Sequence, residues 1–302
     1  VRRFDSEFKG SALVFLAGAL WGFIGLFVKE MSRLGASATV IGFLRMAFAF
    51  AVMAAVTLFR GGPGAFRVDR RTMAACALLG IVCHGVFNVF YSLAVTLAGV
   101  SVSAVLLDLS PVFTLGISAL FFRERLTGRK LLAAALAVLG CALAATGGRV
   151  DAAGLSVLGL ACGVGAGFCY ALTPIFGRLA ADRMDPFVLS AYTNLFAALT
   201  LLLWARPWRA AAELSAPVMV WGFFYGLIPT ALAYLLYYPG VRLVTESSRV
   251  PVLASMEAVV AVLVGVLVYR EALGAMNLLG IALVLLSIAV LNPSPKKHKK
   301  SA

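Results

Sequence analysis

Apolar positions in this chain form long continuous runs, broken by short clusters of charged residues, glycine and proline. Ten runs stand out, near 11–32, 37–60, 73–96, 98–122, 129–147, 154–177, 186–205, 217–238, 247–269 and 273–291. A helix rising about 1.5 Å per residue needs roughly 20 apolar residues to cross a hydrocarbon core about 30 Å thick. Runs of this length predict an all-α integral membrane protein with about ten transmembrane helices. Strands of a β-barrel would show segments of about ten residues with alternating polarity, and these runs, rich in Ala, Leu, Val and Gly, do not alternate. The first run is too long for the core of a signal peptide and has no small-residue cleavage site behind it, so a retained helix is expected.

Composition leads to the same solvent. Of 302 residues, 62% are hydrophobic and 13% charged, and the mean hydropathy is +0.98. That leaves too little polar surface to cover a soluble globule, so the lipid bilayer is the expected surrounding. A net charge of +13 would suit a nucleic-acid partner, but its distribution points to membrane orientation instead. With the N-terminus inside, 19 basic residues fall on the inner side, including Arg2, Arg3, Arg60, Arg129 and Lys130. Six fall outside (Lys29, Arg33, Arg149, Arg206, Arg209 and Arg270), and Arg45 lies within a helix. The positive-inside rule then places both termini in the cytoplasm and the chain in the cytoplasmic (inner or plasma) membrane, with no role for nucleic acid. The basic stretch 293–302 is expected as a solvated tail near anionic headgroups. Five cysteines without CxxC spacing and two histidines give no pattern for disulfides, a metal site or a cofactor.

The chain repeats itself. "VLLDLSPVFTLGISALFFRERLTGRKLLAAALAVLG" from Val105 aligns without gaps with "VLASMEAVVAVLVGVLVYREALGAMNLLGIALVLLS" from Val252, an offset of 147 residues. Two halves, 1–148 and 149–292, follow, each with five helices. An odd number sends the second half into the membrane from the opposite side, so the repeats are inverted. The turn "FRERLTGRK" and its counterpart "YREALGAMN" support this, because the second lacks Arg125, Arg129 and Lys130, as a segment on the outer side should.

"GALWGFIGLFVK" in helix 1, "IGFLRMAFAF" in helix 2 and "NVFYSLAVTLAGVSVSAVLLDLSPVFT" through helices 3 and 4 carry a further likeness. With "PTALAYLLYYPGVRLVTESSRVPVLASMEAVVAVLVGVLVYREAL" in the second half, they make the chain resemble the EamA-type exporters of the drug/metabolite transporter superfamily. The resemblance covers nearly the whole chain. It implies a ten-helix carrier with a central cavity between the halves, moving amino acids or other metabolites by alternating access. Where that family commonly has proline after the acidic position of helix 9, this chain has Ala258 after Glu257. The nearest proline is Pro251, so the helix break is expected about two turns earlier.

Ionisable groups at the bilayer centre cost roughly 2.5–3.5 kcal/mol on insertion scales, so those present usually face a cavity or a partner. Glu257 in helix 9 and Asp108 in helix 4 fall near the midplane; Ser110 occupies the position equivalent to Glu257. Each acid either binds a substrate amine or carries a coupling proton, or it is held structurally by a hydroxyl or a freed backbone N–H. Arg45 lies too deep to snorkel easily; it pairs either with a substrate carboxylate or with a protein acid as a structural ion pair, and the structural role, registering helix 2, is the expected one. Glu124 and Glu271, each following an arginine at a helix end, are expected to pair locally with Arg123, Arg125 or Arg270.

His84, Asn88 and Tyr91 recur at i, i+4 and i+7 and so share one face of helix 3. Together with Trp21, Tyr170, Thr173, Tyr234 and Tyr237 they are the candidate cavity wall, the alternative being interhelical hydrogen bonds or an interfacial belt. Tyr192 and Asn194 of helix 7 and Tyr225 of helix 8 are further polar positions. Pro111, Pro174, Pro229, Pro239 and Pro251 mark where helices break. No Walker motif follows a strand, which leaves an ion, a proton, exchange or the substrate's own gradient as the driving force. A secondary exporter of small metabolites follows as the leading function. A channel or helical scaffold is the alternative, and an intramembrane enzyme is poorly supported because only His84 and His298 could serve as a histidine base. The sequence leaves oligomeric state open.

Overall fold

The computed structural model describes residues 2–149, 156–272 and 274–291, with the side chains of 2–5, 100 and 101 outside that description. The expected tail 293–302 therefore lies outside the described residues. Nine helical segments are long and apolar enough to cross a membrane. They are α1 (Ser6–Arg33), α2 (Ala38–Gly61), α3 (Arg70–Ala98), α4 (Val102–Phe122, its helix beginning at Val100) and α5 (Gly128–Thr146). The second set is α6 (Val157–Ala181), α7 (Pro186–Ala205), α8 (Ala216–Leu243) and α9 (Ser247–Tyr269), followed by the shorter apolar helix α10 (Ala275–Leu291). Among the described residues there is no strand.

Pairing between helices exposes a two-repeat plan. The most extensive contacts are α5 with α10, α2 with α7, α1 with α8 and α3 with α6. Advancing every number by five carries α5–α10 and α2–α7 onto themselves and exchanges α1–α8 with α3–α6. Every one of these pairings joins one half to the other, so the halves interleave around an approximate two-fold axis. Backbones approach closely where glycine removes a side chain, as small residues do in membrane bundles. A Cβ on Gly280 of α10 would sit 2.3 Å from the Ala144 backbone nitrogen of α5, and one on Gly18 of α1 would sit 2.5 Å from the Ala254 carbonyl oxygen.

Helix interruptions repeat as well. α4 breaks at Asp108–Leu109, between Val100–Leu107 and Ser110–Phe122, and α9 breaks at Ser255, between Val250–Ala254 and Met256–Tyr269. α3 holds a π-turn at Leu79–Val86, and α8 holds one at Leu227–Leu232 in the equivalent place. α1 is interrupted at Gly22–Phe23 and α6 at Leu172. Both α4 and α9 end on a left-handed arginine, Arg123 (φ 52°) and Arg270 (φ 54°).

The break in α9 differs from the expectation set by Pro251. It falls at Ser255, two residues before Glu257 rather than two turns before it. Pro251 sits in the first turn of Val250–Ala254, where its missing N–H has no helical partner to lose, so it starts a helix instead of breaking one. Pro111 and Pro174 likewise open the second segments of α4 and α6.

Candidate functional site

Helices α4 and α9 form a V. The second segment of α4 packs on Ser247–Arg249 and on Val250–Ala254, whereas Val100–Leu107 and Met256–Tyr269 make no comparable packing. The arms thus meet at the face that carries the N-terminus and splay toward the opposite face. The two helix breaks lie at the level where they part. Glu257 occupies the first turn of its segment and Ser110, buried, the first turn of its own. Two helix-segment starts therefore lie at the level where the arms part.

Around this level the candidate residues converge from several helices. Trp21 of α1 is buried with its ring centroid 5.1 Å from Tyr237, 5.7 Å from Tyr234 and 6.4 Å from Tyr170. His84 of α3 stacks on Tyr234 with centroids 4.8 Å apart. Phe87 bridges Tyr170 (5.6 Å) and Tyr91 (5.9 Å). Tyr91 and Tyr170 lie within electrostatic reach of both Asp108 and Glu257, and the two acids of each other. Asp108, Glu257, Tyr91 and Tyr170 all keep part of their surface accessible despite these neighbours, as groups lining an internal opening do.

Several buried polar atoms here have no protein hydrogen-bond partner among the described residues: Trp21 Nε1 and both ring nitrogens of His84. Thr173 Oγ1, at the start of the second segment of α6, has only the Cys83 thiol beside it. A buried polar group left unpaired costs about 1–3 kcal/mol, which a bound polar molecule recovers.

Arg45 is buried in α2. No carboxylate lies within ion-pair distance of it among the described residues. Its Nε donates to Thr230 Oγ1 at 2.9 Å, and its guanidinium lies 5.2 Å from the centre of the Tyr225 ring. Glu257 is within electrostatic reach of Arg45 but not bonded to it. The Tyr225 hydroxyl is a second hydrogen-bond partner of the guanidinium. Through Arg45, helix α2 is thus tied to Tyr225 and Thr230 of α8. The one sequence signal for Thr230 is its place after Pro229 in "IPTALAY".

Two other points differ from the local reading. The π-turn of α3 spans Leu79–Val86. Asn88 stays beside His84, its Nδ2 donating to the His84 carbonyl at 2.6 Å, and its Oδ1 lies toward Gly42 of α2. Tyr192 reaches the Phe66 carbonyl at 2.6 Å, near a helix end, and Asn194 donates to Ser190 of its own helix. Finally, neither terminal glutamate pairs with its adjacent arginines. Glu124 bonds Lys130 (3.4 Å), the Ser247 N–H (2.8 Å), the Ser248 N–H (3.4 Å) and the Ser248 hydroxyl. Glu271 instead pairs with Lys29 at 3.0 Å. The left-handed arginine before each glutamate turns the chain; Glu124 is tucked in beside α9, whereas Glu271 stays exposed.

The sequence model of the EamA-like transporter family matches twice, over residues 8–146 and 157–292. The chain belongs to the EamA-like transporter family. This places it in the drug/metabolite transporter superfamily, whose two-repeat fold it shares. EamA-like relatives of similar length include a protein of Archaeoglobus fulgidus named an uncharacterized transporter, 27% identical over 282 residues, covering 93% of this chain and 95% of the relative. YwfM of Bacillus subtilis, also named an uncharacterized transporter, is 27% identical over 224 residues, covering 73% and 74%. A solved crystal structure superposes with a TM-score of 0.76 at 19% identity over 93% of this chain and 96% of the other, which shows a common fold. The chain is accordingly a multi-pass membrane protein of a transporter family.

Proposed function

We propose that this EamA-like protein is a secondary carrier that exports small polar or amphipathic metabolites, amino acids and related amines or carboxylates foremost, by alternating access. One observation carries this reading: an arginine and a glutamate, Arg45 and Glu257, lie within electrostatic reach of each other without forming an ion pair among the described residues. Between and around them lie aromatic rings and unpaired donors from both halves. A zwitterion presents a carboxylate to the guanidinium and an ammonium to Glu257 or Asp108, while its side chain lies against Trp21, Tyr170 and Tyr234. Bringing such a molecule into a low-dielectric site requires that both of its charges be met, and this cage offers a partner for each. Glu257 also serves as a candidate carrier of a coupling proton. The cytoplasmic membrane, with both termini in the cytoplasm, is the location that the charge asymmetry supports.

A channel needs a path open to both faces at once. Contacts between the halves at the N-terminal face run against it: Glu124 with Ser247 and Ser248, and Glu7 with Arg249. The deciding experiment is flux in proteoliposomes for a panel of amino acids, amines and carboxylates, with and without a pH gradient. Saturable flux of a zwitterion that outpaces its amine and carboxylate fragments is expected. No flux above empty liposomes for any compound would sink the carrier reading.

A further inference from the structure

The repeat places a second copy of the Glu124 contact at the other end of the same helix pair, and there it is unmade. At the offset of 147 residues Glu124 corresponds to Glu271, and Ser247–Ser248 to Val100–Ser101. The local backbone is duplicated too: the Glu124 N–H bonds the Ser118 carbonyl and the Glu271 N–H bonds the Gly265 carbonyl, both at 3.2 Å. Both glutamates follow a left-handed arginine. On the N-terminal face the contact is formed, and the Glu124 side chain is 9% exposed. On the opposite face Glu271 is 58% exposed and holds only Lys29, itself 48% exposed, a surface pair of little worth.

Helices α4 and α9 run antiparallel, so the end of α4 lies beside the start of α9 on one face, and the end of α9 beside the start of α4 on the other. The V geometry keeps the two ends from closing together. We propose that Glu124 and Glu271 are the two arms of a reciprocal latch. In the alternate state Glu271 leaves Lys29 and takes the backbone N–H groups of Val100 and Ser101, while Glu124 releases Ser247 and Ser248. The breaks at Asp108–Leu109 and Ser255 are the pivots. This deepens the carrier reading and rests on its two-state motion.

The two arms are unequal. Lys130, 7% exposed, neutralises both Glu124 (3.4 Å) and Glu246 (2.9 Å). Its repeat counterpart is Asn277 and that of Glu246 is Gly99, so the Glu271 arm has no buried cation. The state latched at the N-terminal face is therefore the resting state, and Lys130 sets the bias.

Disulfide trapping tests the latch without any substrate. In Ser101→Cys/Glu271→Cys, oxidation traps the alternate state, with each single cysteine variant as control; the five native cysteines are buried. Adding Glu124→Gln, which weakens charge-assisted bonds to the serines, should speed trapping by about tenfold or more. A rate that Glu124→Gln leaves unchanged, or no disulfide in any background, overturns the proposal. Should Glu124→Gln fail to fold, Asn277→Lys decides with Glu271 intact. Spin labels at Leu126 and Thr245, exposed positions astride the Glu124 contact, should gain a longer-distance population in that variant, and an unchanged distribution overturns the proposal. Absent flux with Glu124-dependent trapping would fell the carrier reading alone, and normal flux without it would fell the latch alone.

Discussion

Arg45 of α2 donates from Nε to the Thr230 hydroxyl of α8 at 2.9 Å, a buried bond between residues 185 positions apart and in opposite halves. Thr230 in turn donates to the Tyr225 carbonyl at 3.0 Å inside the π-turn of α8. The residue four places on from Tyr225 is Pro229, which has no N–H to give that carbonyl; the threonine hydroxyl donates to it while orienting the guanidinium. A cation is thus fixed in the membrane interior by the Thr230 hydroxyl and by Tyr225, which offers both its hydroxyl and its ring.

Removing that cation should cost carboxylate recognition. Arg45→Gln keeps a comparable reach without the charge. A charge-assisted hydrogen bond contributes about 1.5–3 kcal/mol, so affinity for a zwitterion should fall by roughly tenfold to a hundredfold. Affinity for the matching amine, lacking the carboxylate, should change little. Titration calorimetry or scintillation proximity with both compounds checks the split; equal losses for the two would assign Arg45 a purely structural role.

Glu257→Gln should abolish the response of flux to an imposed pH gradient, because the amide neither releases a proton nor meets an ammonium. Asp108→Asn should have the smaller effect, since the Arg45 guanidinium interacts with Glu257 and not with Asp108. Counterflow exchange measured alongside gradient-driven flux separates lost coupling from lost binding. Gradient-driven flux of normal size in Glu257→Gln would exclude it as the coupling group.

Close packing of α5 on α10 makes Gly280→Ala destabilising. The added methyl would meet the Ala144 nitrogen at 2.3 Å, and overpacking of this kind costs about 1–3 kcal/mol. Gly25→Ala is the control, with nothing within 4 Å of the new Cβ. Melting midpoints in detergent should fall for the first variant and stay or rise for the second.

Outside the membrane, Asp69 caps the start of α3. It accepts from the Thr72 hydroxyl, the Thr72 N–H (3.2 Å) and the Arg71 N–H (3.1 Å), and the Thr72 hydroxyl above all holds its carboxyl below the usual carboxylate range. A folded value below the unfolded one means that the stabilisation is fully present above the unfolded value, near pH 4. It is lost as pH falls through the lower folded value. Asp69→Asn should therefore flatten the acid limb of a plot of melting midpoint against pH and leave the neutral limb nearly unchanged.

Much of this protein was determined by the sequence alone. Hydrophobic length fixes each spanning helix, because in lipid a segment has to satisfy its own backbone, and that requirement is local. The runs at 186–205 and 247–269 coincide with α7 and α9 for this reason. Duplication of the α4 and α9 motifs likewise showed the repeat, and it located an acid near each midplane. Tertiary structure decided what no linear pattern encodes. The break in α9 follows its repeat mate at Asp108 and not the proline, since a proline in a first turn has no bond to break. Arg45 found Thr230, and Glu124 found Ser247 and Ser248, across 185 and 123 residues. Which partner a buried charge meets depends on how the two halves interleave, and a local reading of charge pairs only neighbours in the chain.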